Sequence, residues 1–530
     1  MIYKSISLEE LKTSLKSRFK DNGFLSLKDL PHPKTLKDMT KATNRIVEAI
    51  KNREKIVLIG DYDVDGVVST TIMKMFFNEI GVELKTIIPN RFRDGYGLSP
   101  KIIEKIRDYD LVITVDNGIS ALEASILAKK LNIELIITDH HIVPNKPPMA
   151  HSIINQKQSD CNFPFDEICG AQIAWYLISS LKIALKSKVD TKEYLGVVAI
   201  AIIADVMPLL HINRAMVISG LNILKNSSLP AIKALKEHLN KDTLRGDDIG
   251  FNIAPLINSA GRMEDASYSL DFLLSSNIYQ AKDNLSKLLE FNENRKEVES
   301  NITKEVIANV ECKDDIIIVY GENWHEGVVG IVASRVSNHF SKPAIILSKN
   351  GDILKGSGRS YGECNLFDIV NESKEFLLGF GGHKMAVGLS MDINNFNIFK
   401  QNLQKRFKSK NYKEDNIDKS IVGEMKLDLI NMDIINILNE FEPYGNENIR
   451  PKFISYGVEV LHSDKMGKNR EHLKMIVNQK NSYLSAIKFR CEDEVSVGDK
   501  IDIIYTINEN HFRGETTIQL LVEKIIVCHL

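Results

Sequence analysis

Cysteine is scarce in this chain: there are six in 530 residues, dispersed, with no CxxC pair. That usage excludes a disulfide framework or a zinc finger and points to reduced thiols. Neither sign of charge dominates, with 68 Lys and Arg against 70 Asp and Glu, a net charge of −2. A uniformly basic nucleic-acid coat is excluded, although a local basic cleft is not. Long apolar runs are also lacking. The longest, Leu195 to Ala204, falls far short of the ~20 residues that cross a bilayer. The opening stretch, MIYKSISLEELKTSLKSRFK, has neither the apolar core nor the small-residue cleavage site of a secretory signal. The expectation is a cytoplasmic protein that does not touch a membrane.

What the chain does have is ordinary globular composition, 43% hydrophobic and 26% charged, and length for about three to four domains. It also has four apolar runs broken by aspartate: KIVLIGDYDVDG (Lys55 to Gly66), LVITVDNG (Leu111 to Gly118), LIITDHH (Leu135 to His141) and AIAIIADVMPL (Ala199 to Leu209). The first three read as buried strands, being rich in Val and Ile and ending abruptly in polar turns. Strand and helix patterns alternate to about residue 275, the mark of a wound parallel sheet. Ligands bind such sheets at the carboxyl ends of the strands. Asp63, Asp65, Asp116, Asp139, His140, His141 and Asp205 are therefore candidates to converge there.

The residues from Ile278 to Glu311 contain no Pro or Gly and repeat Leu and Val at helical spacing, predicting one long helix. A helix joining two lobes and an ordinary surface helix fit that pattern equally. A second α/β unit starts at DIIIVY (Asp315 to Tyr320) and ends near residue 405, after GFGGHKMAVG. Five β-rich segments follow between Lys452 and Val527, the count and spacing of a small Greek-key barrel such as the OB-fold. The predicted fold class is α/β. A helical lead-in occupies 1–45, a parallel-sheet lobe 46–277, a connecting helix 278–311, a second smaller α/β lobe 312–405 and a C-terminal β-barrel 420–530.

So many carboxylates need a cation to sit together. Asp63 and Asp65, two residues apart past a strand, can reach two different ions, and Asp116 can bridge them. Asp139 is placed to orient His140 as a metal ligand. Asp205 closes the most apolar stretch at a helix C-terminus, the wrong end for an uncompensated negative charge. Each residue alone also has a plain reading as a solvated turn or Asx-turn. Together they predict two divalent cations, with Mn²⁺ or Mg²⁺ favoured over structural zinc by the hard oxygen ligands. Such a pair of ions hydrolyses phosphate esters. Phosphate contacts are expected from Arg91 and Arg93, from Arg262, from Ser357 and Arg359 in a glycine-rich turn KGSGRS read as a phosphate nest, and from the Gly382–His383 stretch. Tyr483, Phe489, Tyr505, Phe512 and Arg513 are candidate single-strand contacts on the barrel, though barrel core is the commoner role for any one of them.

GDYDVDG, IPNRFRDGYGLS, VDNG, TDHH, IADVMPL and INSAGRM, in that order, resemble the motif series of the DHH phosphoesterase superfamily. GDYDVDG, NRFRDGYGLS and WHEGVVGIVASR resemble its RecJ exonuclease family in particular, and GSGRS and GFGGHKMAVG are similar to that family's DHH-associated domain. The resemblance implies 5′-to-3′ digestion of single-stranded DNA to mononucleotides in DNA repair and recombination. It implies one metal on Asp63, Asp116 and Asp205, and another on Asp65, Asp116 and His140. His141 would sit at the scissile phosphate, Ser357 and Arg359 at the 5′-phosphate with help from Arg91 or Arg262, and Gly382 and His383 across the cleft. The implied partners are a single-stranded DNA with a 5′ end, a single-strand-binding protein and a helicase, and the implied working unit is a monomer. Ile59 stands where phosphatases of the superfamily carry a further His; Glu447 and Ile449 stand where the family usually has Gly and Pro. Two rivals remain: a phosphodiesterase of oligoribonucleotides or cyclic dinucleotides, and a non-catalytic scaffold that has lost its metals.

Overall fold

The computed structural model describes residues 3–19, 26–310, 313–410, 412, 420–467, 470–491, 493–512 and 515–527. The first lobe is built on five parallel strands: β1 Ile56–Ile59, β2 Lys85–Ile87, β3 Leu111–Val115, β4 Glu134–Thr138 and β5 Ser152–Ile154. Their order across the sheet is β2-β1-β3-β4-β5. The central strands read IVLI and LVITV and are buried throughout, because helices cover both faces. Ile56, Leu58, Ile113 and Val115 pack into a core with the helices Met39–Asn52, Val64–Glu79, Gly170–Leu185 and Leu195–Ala204. Val57, Ile59 and Val112 point the other way, toward Pro100–Lys105 and Leu122–Lys130. Each large aliphatic side chain buried this way contributes about 1.5–3 kcal/mol. In this strand order the chain departs in opposite directions from β1 and β3, leaving a crevice between their carboxyl ends.

Ile278–Asn309 is one helix of 32 residues. Ala281, Leu285 and Leu288 belong to the first lobe's core, whereas Ile302 and Val306 belong to a core with the helix Val329–Phe340 of the second lobe. The helix therefore joins the two lobes instead of lying on one. The second lobe's sheet runs β6 Ile317–Glu322, β7 Ala344–Asn350, β8 Ile353–Arg359, β10 Ala386–Asp392 and β9 Gly379–His383, with only β6 and β7 parallel. The KGSGRS segment is not the turn its glycines predict. Gly356 to Arg359 lie within β8, paired with β7 on one side and β10 on the other. The ladders use the N–H groups that a phosphate nest needs.

All five predicted barrel strands are present: β12 Lys452–Met466, β13 His472–Gln479, β14 Ser482–Lys488, β15 Lys500–Phe512 and β16 Glu515–Val527. β12 pairs with β13, β13 with β14, β14 in parallel with β16, β16 with β15, and β15 returns to β12. That closed order is an OB-type barrel. A short β11, Ile421–Glu424, extends the sheet and bridges to Ser5. The stretch 1–45, expected as a helical lead-in, is divided between two folded parts. Ile6, Leu11, Leu15 and Phe19 pack into the barrel's core, whereas Leu27, Leu30 and the residues from Leu36 onward pack into the first lobe. Among the described residues, no helix is long and apolar enough to cross a membrane.

Candidate metal centre and phosphate pocket

The crevice between β1 and β3 gathers every acidic residue singled out above. Asp63 caps the helix Val64–Glu79, accepting from the N–H of Gly66 at 3.1 Å. Gly66 must lack a side chain, because a Cβ there would lie 2.5 Å from the Asp61 carbonyl. Asp65 is buried and accepts from the N–H groups of Gly170 and Ala171, at 2.5 and 2.8 Å, on the first turn of another helix. Gly170 presses on Asp116, where a Cβ would come within 2.6 Å. Asp116 itself is buried with φ +61°, a left-handed conformation that Asp tolerates better than most residues. His140 Nε2 lies 3.2 Å from Asp116, 3.7 Å from Asp65 and 3.7 Å from Asp205.

Several details depart from the sequence reading. Asp139 does not orient His140. Its carboxylate takes the Nδ1 of His141 at 2.7 Å and the backbone N–H groups of His141 and Ile119, since side chains two residues apart share a side of the extended turn. The second departure is Asp61. It lies outside the predicted set, yet it is buried and its carboxylate clusters with Asp63 and Asp116. The alternation Asp61, Asp63, Asp65 in GDYDVDG was the signal that could have found it. Among the described residues, ligand-capable atoms fall within 4.8 Å of one another in three sets: Asp61, Asp63 and Asp116; Asp65, His140 and Asp205; Asp116, His140 and His141. Asp205 thus groups with Asp65 and His140, whereas the family pattern pairs it with Asp63.

The donor set fits divalent cations. Asp116 Oδ1, His140 Nδ1 and Asp205 Oδ2 are buried without a hydrogen-bond partner among the described residues. Burial, then neighbouring carboxylates, pushes Asp61, Asp116 and Asp205 well above the usual carboxylate range; Asp65 is also raised, chiefly by burial. Without a cation the cluster must take up protons. Burial pulls His140 down toward the neutral imidazole that binds metal. Burial acts against a charge on His141 too, but Asp139 outweighs it and lifts that ring to about 9.

Beside the cluster stand the arginines. Arg91 lies over the Tyr62 ring, 5.2 Å from its centre. Arg262 donates to the carbonyl of Gly327 in the second lobe. Burial and the nearness of Arg91 and Arg295 pull its pKa down to about 10, with Asp63 pulling back. Arg359 is a further cationic neighbour. A Cβ on Gly330, in the first turn of Val329–Phe340, would meet Arg359 Nη2 and Ser357 Oγ at 3.3 Å each. No carboxylate pairs with Arg91, Arg262 or Arg359 among the described residues. Arg93, in contrast, is paired with Asp265. Gly382 and His383 are exposed on the edge strand β9, and no contact links them to the acidic cluster among the described residues. On the barrel, Tyr483 and Phe489 are 58% and 57% exposed, while Tyr505 is core, bonded to Ser455. The side chain of Phe512 and the whole of Arg513 lie outside the described residues.

The sequence matches the DHH family N-terminal domain over residues 55–202, the DHHA1 domain over 313–409 and the RecJ OB domain over 421–524. A Bacillus subtilis relative, single-stranded-DNA-specific exonuclease RecJ, is 31% identical over 95% of this chain, which spans 65% of that relative's length. The crystal structure of RecJ from Thermus thermophilus in complex with Mn²⁺ superposes with a TM-score of 0.80 at 24% identity, over 93% of this chain and 72% of that one, and so shares the fold. The single-stranded-DNA-specific exonuclease RecJ of Escherichia coli is 31% identical over 92% of this chain and 90% of its own. That likeness runs through both lobes and the barrel, and the chain belongs to the RecJ family.

Proposed function

We propose that this chain is a single-stranded-DNA-specific exonuclease that works from the 5′ end, releasing 5′-mononucleotides with the help of two divalent cations. One observation carries the reading: a cage of carboxylates and imidazole at the switch point abuts arginines that no acidic residue pairs with among the described residues. An anion with a hydrolysable neighbour fits that arrangement, and a 5′-phosphorylated strand is such an anion.

Asp61, Asp63 and Asp116 would hold one cation, and Asp65, His140 and Asp205 the other, with Asp116 close enough to His140 to be shared. Bound there, Mn²⁺ or Mg²⁺ supplies Lewis-acid polarisation of a phosphate oxygen and lowers the pKa of water. The protein does the rest. Arg262, Arg91, Arg359 and Ser357 take the terminal 5′-phosphate and fix the strand's register, so that the first phosphodiester is the one presented. His141, its Nδ1 tied to Asp139, keeps a proton on Nε2 for the scissile phosphate and the departing 3′ oxygen. Tyr483 and Phe489 offer exposed rings on which bases of a single strand stack.

The barrel favours long strands over the dinucleotides that a two-lobe phosphodiesterase takes. A helicase and a single-strand-binding protein in the cytoplasm are the partners this reading implies, with a monomer as the working unit. The test uses purified protein with Mn²⁺, strands labelled at either end, single and duplex, and a dinucleotide for comparison. Mononucleotides released first from the 5′ end of single strands are expected. Preferential cleavage of the dinucleotide, or release from the 3′ end, overturns the reading.

A further inference from the structure

The helix Leu195–Ala204 ends on Asp205, and the residue after it is the most strained in the neighbourhood. Val206 has φ +55°, and a β-branched side chain in the left-handed region is a true outlier. The turn it makes is a helix-ending one: Val206 N–H donates to Ile203 and Met207 N–H to Ile202. Helices that stop this way ordinarily carry glycine where Val206 stands. Packing does not hold the valine there, since its side chain is 62% exposed.

The segment leading into the barrel does hold it. Asn446 Nδ2 donates to the Val206 carbonyl at 2.8 Å, and the Asn446 carbonyl accepts from Leu209 N–H at 2.9 Å. Further along, the buried Arg214 donates to the carbonyls of Glu442 and Pro443. Asn448 keeps this barrel segment in shape by donating to the carbonyls of Phe441 and Pro443. Residues 442–448 therefore hold Val206 and the stretch that follows it, as far as Arg214.

We infer that Asn446 is a positioning residue: by clamping Val206 in its left-handed conformation, the barrel's entry segment sets Asp205 where it faces His140 and Asp65. The inference rests on the reading of Asp205 as a metal ligand. Relaxing Val206 to negative φ breaks the two turn-closing bonds and frays the last turn, the one that carries Asp205. The first lobe does not complete its own metal centre; the third folded part of the chain finishes it. By linkage, occupancy of the metal site tightens the docking of the barrel by the same factor.

Calorimetric titration of Mn²⁺ into the full-length, metal-stripped protein tests this, with three variants beside the wild type. Asp205→Asn weakens manganese binding if Asp205 is a ligand. Asn446→Ala, an exposed substitution, weakens it about three- to tenfold, the scale of one hydrogen bond, while leaving KM for single-stranded DNA unchanged and lowering kcat at fixed Mn²⁺. Adding Val206→Gly to Asn446→Ala restores most of the affinity, because glycine needs no clamp to keep the turn. If Asp205→Asn binds manganese as the wild type does, the ligand assignment fails and the clamp with it. If Asp205→Asn is weakened but Asn446→Ala is not, or Val206→Gly rescues nothing, the clamp alone is wrong.

Discussion

Asp116→Asn should make the metal-free protein more stable and the metal-loaded protein less so. Asp116 is buried, and its carboxylate lies within 4.8 Å of those of Asp61 and Asp63. Two full charges at that distance repel by about 3.5 kcal/mol at an effective dielectric of ~20. The wild type evades part of this by protonation: an Asp that is ionised in the unfolded chain and neutral in the fold costs roughly 4 kcal/mol at pH 7. The amide evades it altogether, and Asn keeps the left-handed backbone without added strain. A gain of about 1–3 kcal/mol without metal follows, after allowing for the amide's own desolvation. The sign with pH is fixed by the raised values of Asp61, Asp116 and Asp205. Folded-state pKa values above the unfolded ones make the metal-free wild type lose stability as pH rises from about 4 through those raised values. The advantage of Asp116→Asn therefore widens toward neutral pH. With Mn²⁺ at a hundred times the Kd of each of two sites, the wild type gains about 2.7 kcal/mol per ion, a gain the variant largely forfeits, and the order inverts. Thermal unfolding in EDTA and in excess Mn²⁺, at pH 5 and pH 7.5, reads all of this. A variant less stable than wild type in EDTA, or equally stabilised by Mn²⁺, would refute the account of the cluster as carboxylates awaiting cations.

Arg359→Ala is expected to abolish the preference for a 5′-phosphorylated strand while leaving cleavage measurable; paired substrates with and without the phosphate check it, and an unchanged preference counts against the pocket. Asp139→Asn frees His141 from the partner that lifts it to about 9. In the metal-free wild type, the stability this pair supplies is full below about pH 6.5 and disappears as pH rises through 9. The variant should lack that slope, and its activity should fall at lower pH than wild type; matching alkaline limbs would contradict the role given to His141. Glu299, fully buried on the connecting helix, pairs with Arg295 at 2.8 Å and with Arg335 of the second lobe. Glu299→Gln strands two guanidinium groups together and should destabilise the junction by about 3 kcal/mol. Urea unfolding with hydrogen exchange in Val329–Phe340 measures it, and a change under about 0.5 kcal/mol disproves the strut.

The parts legible in the sequence are those where local pattern and tertiary environment agree. Ile56–Ile59 and Leu111–Val115 are continuous Val and Ile runs because both faces of their sheet are covered, and composition alone reports that. The barrel strands alternate and end in turns, so their number and limits could be read. Ser357 and Arg359 are not legible in this way, because glycine on both sides of a serine signals a turn unless strands arrive on both edges; β7 is the local hairpin partner, but β10 comes from almost thirty residues further along. Which histidine Asp139 holds depends on the direction of the turn after β4, which three adjacent polar letters do not encode. The strain at Val206 had no signal either, as nothing in the sequence marks a valine that occupies a glycine's conformation.

The packing of Ile6, Leu11, Leu15 and Phe19 among barrel residues such as Phe453 and Tyr505 has a consequence for how the molecule is made. These early side chains leave the ribosome more than four hundred positions before their partners, roughly 20 to 90 seconds at ordinary elongation rates. Throughout that interval the catalytic lobe can close, but the barrel lacks the strands it must form and its early apolar residues remain uncovered, within reach of a chaperone. Truncating residues 3–19 would therefore damage the far end of the molecule, and a tag fused ahead of them would ride on the barrel.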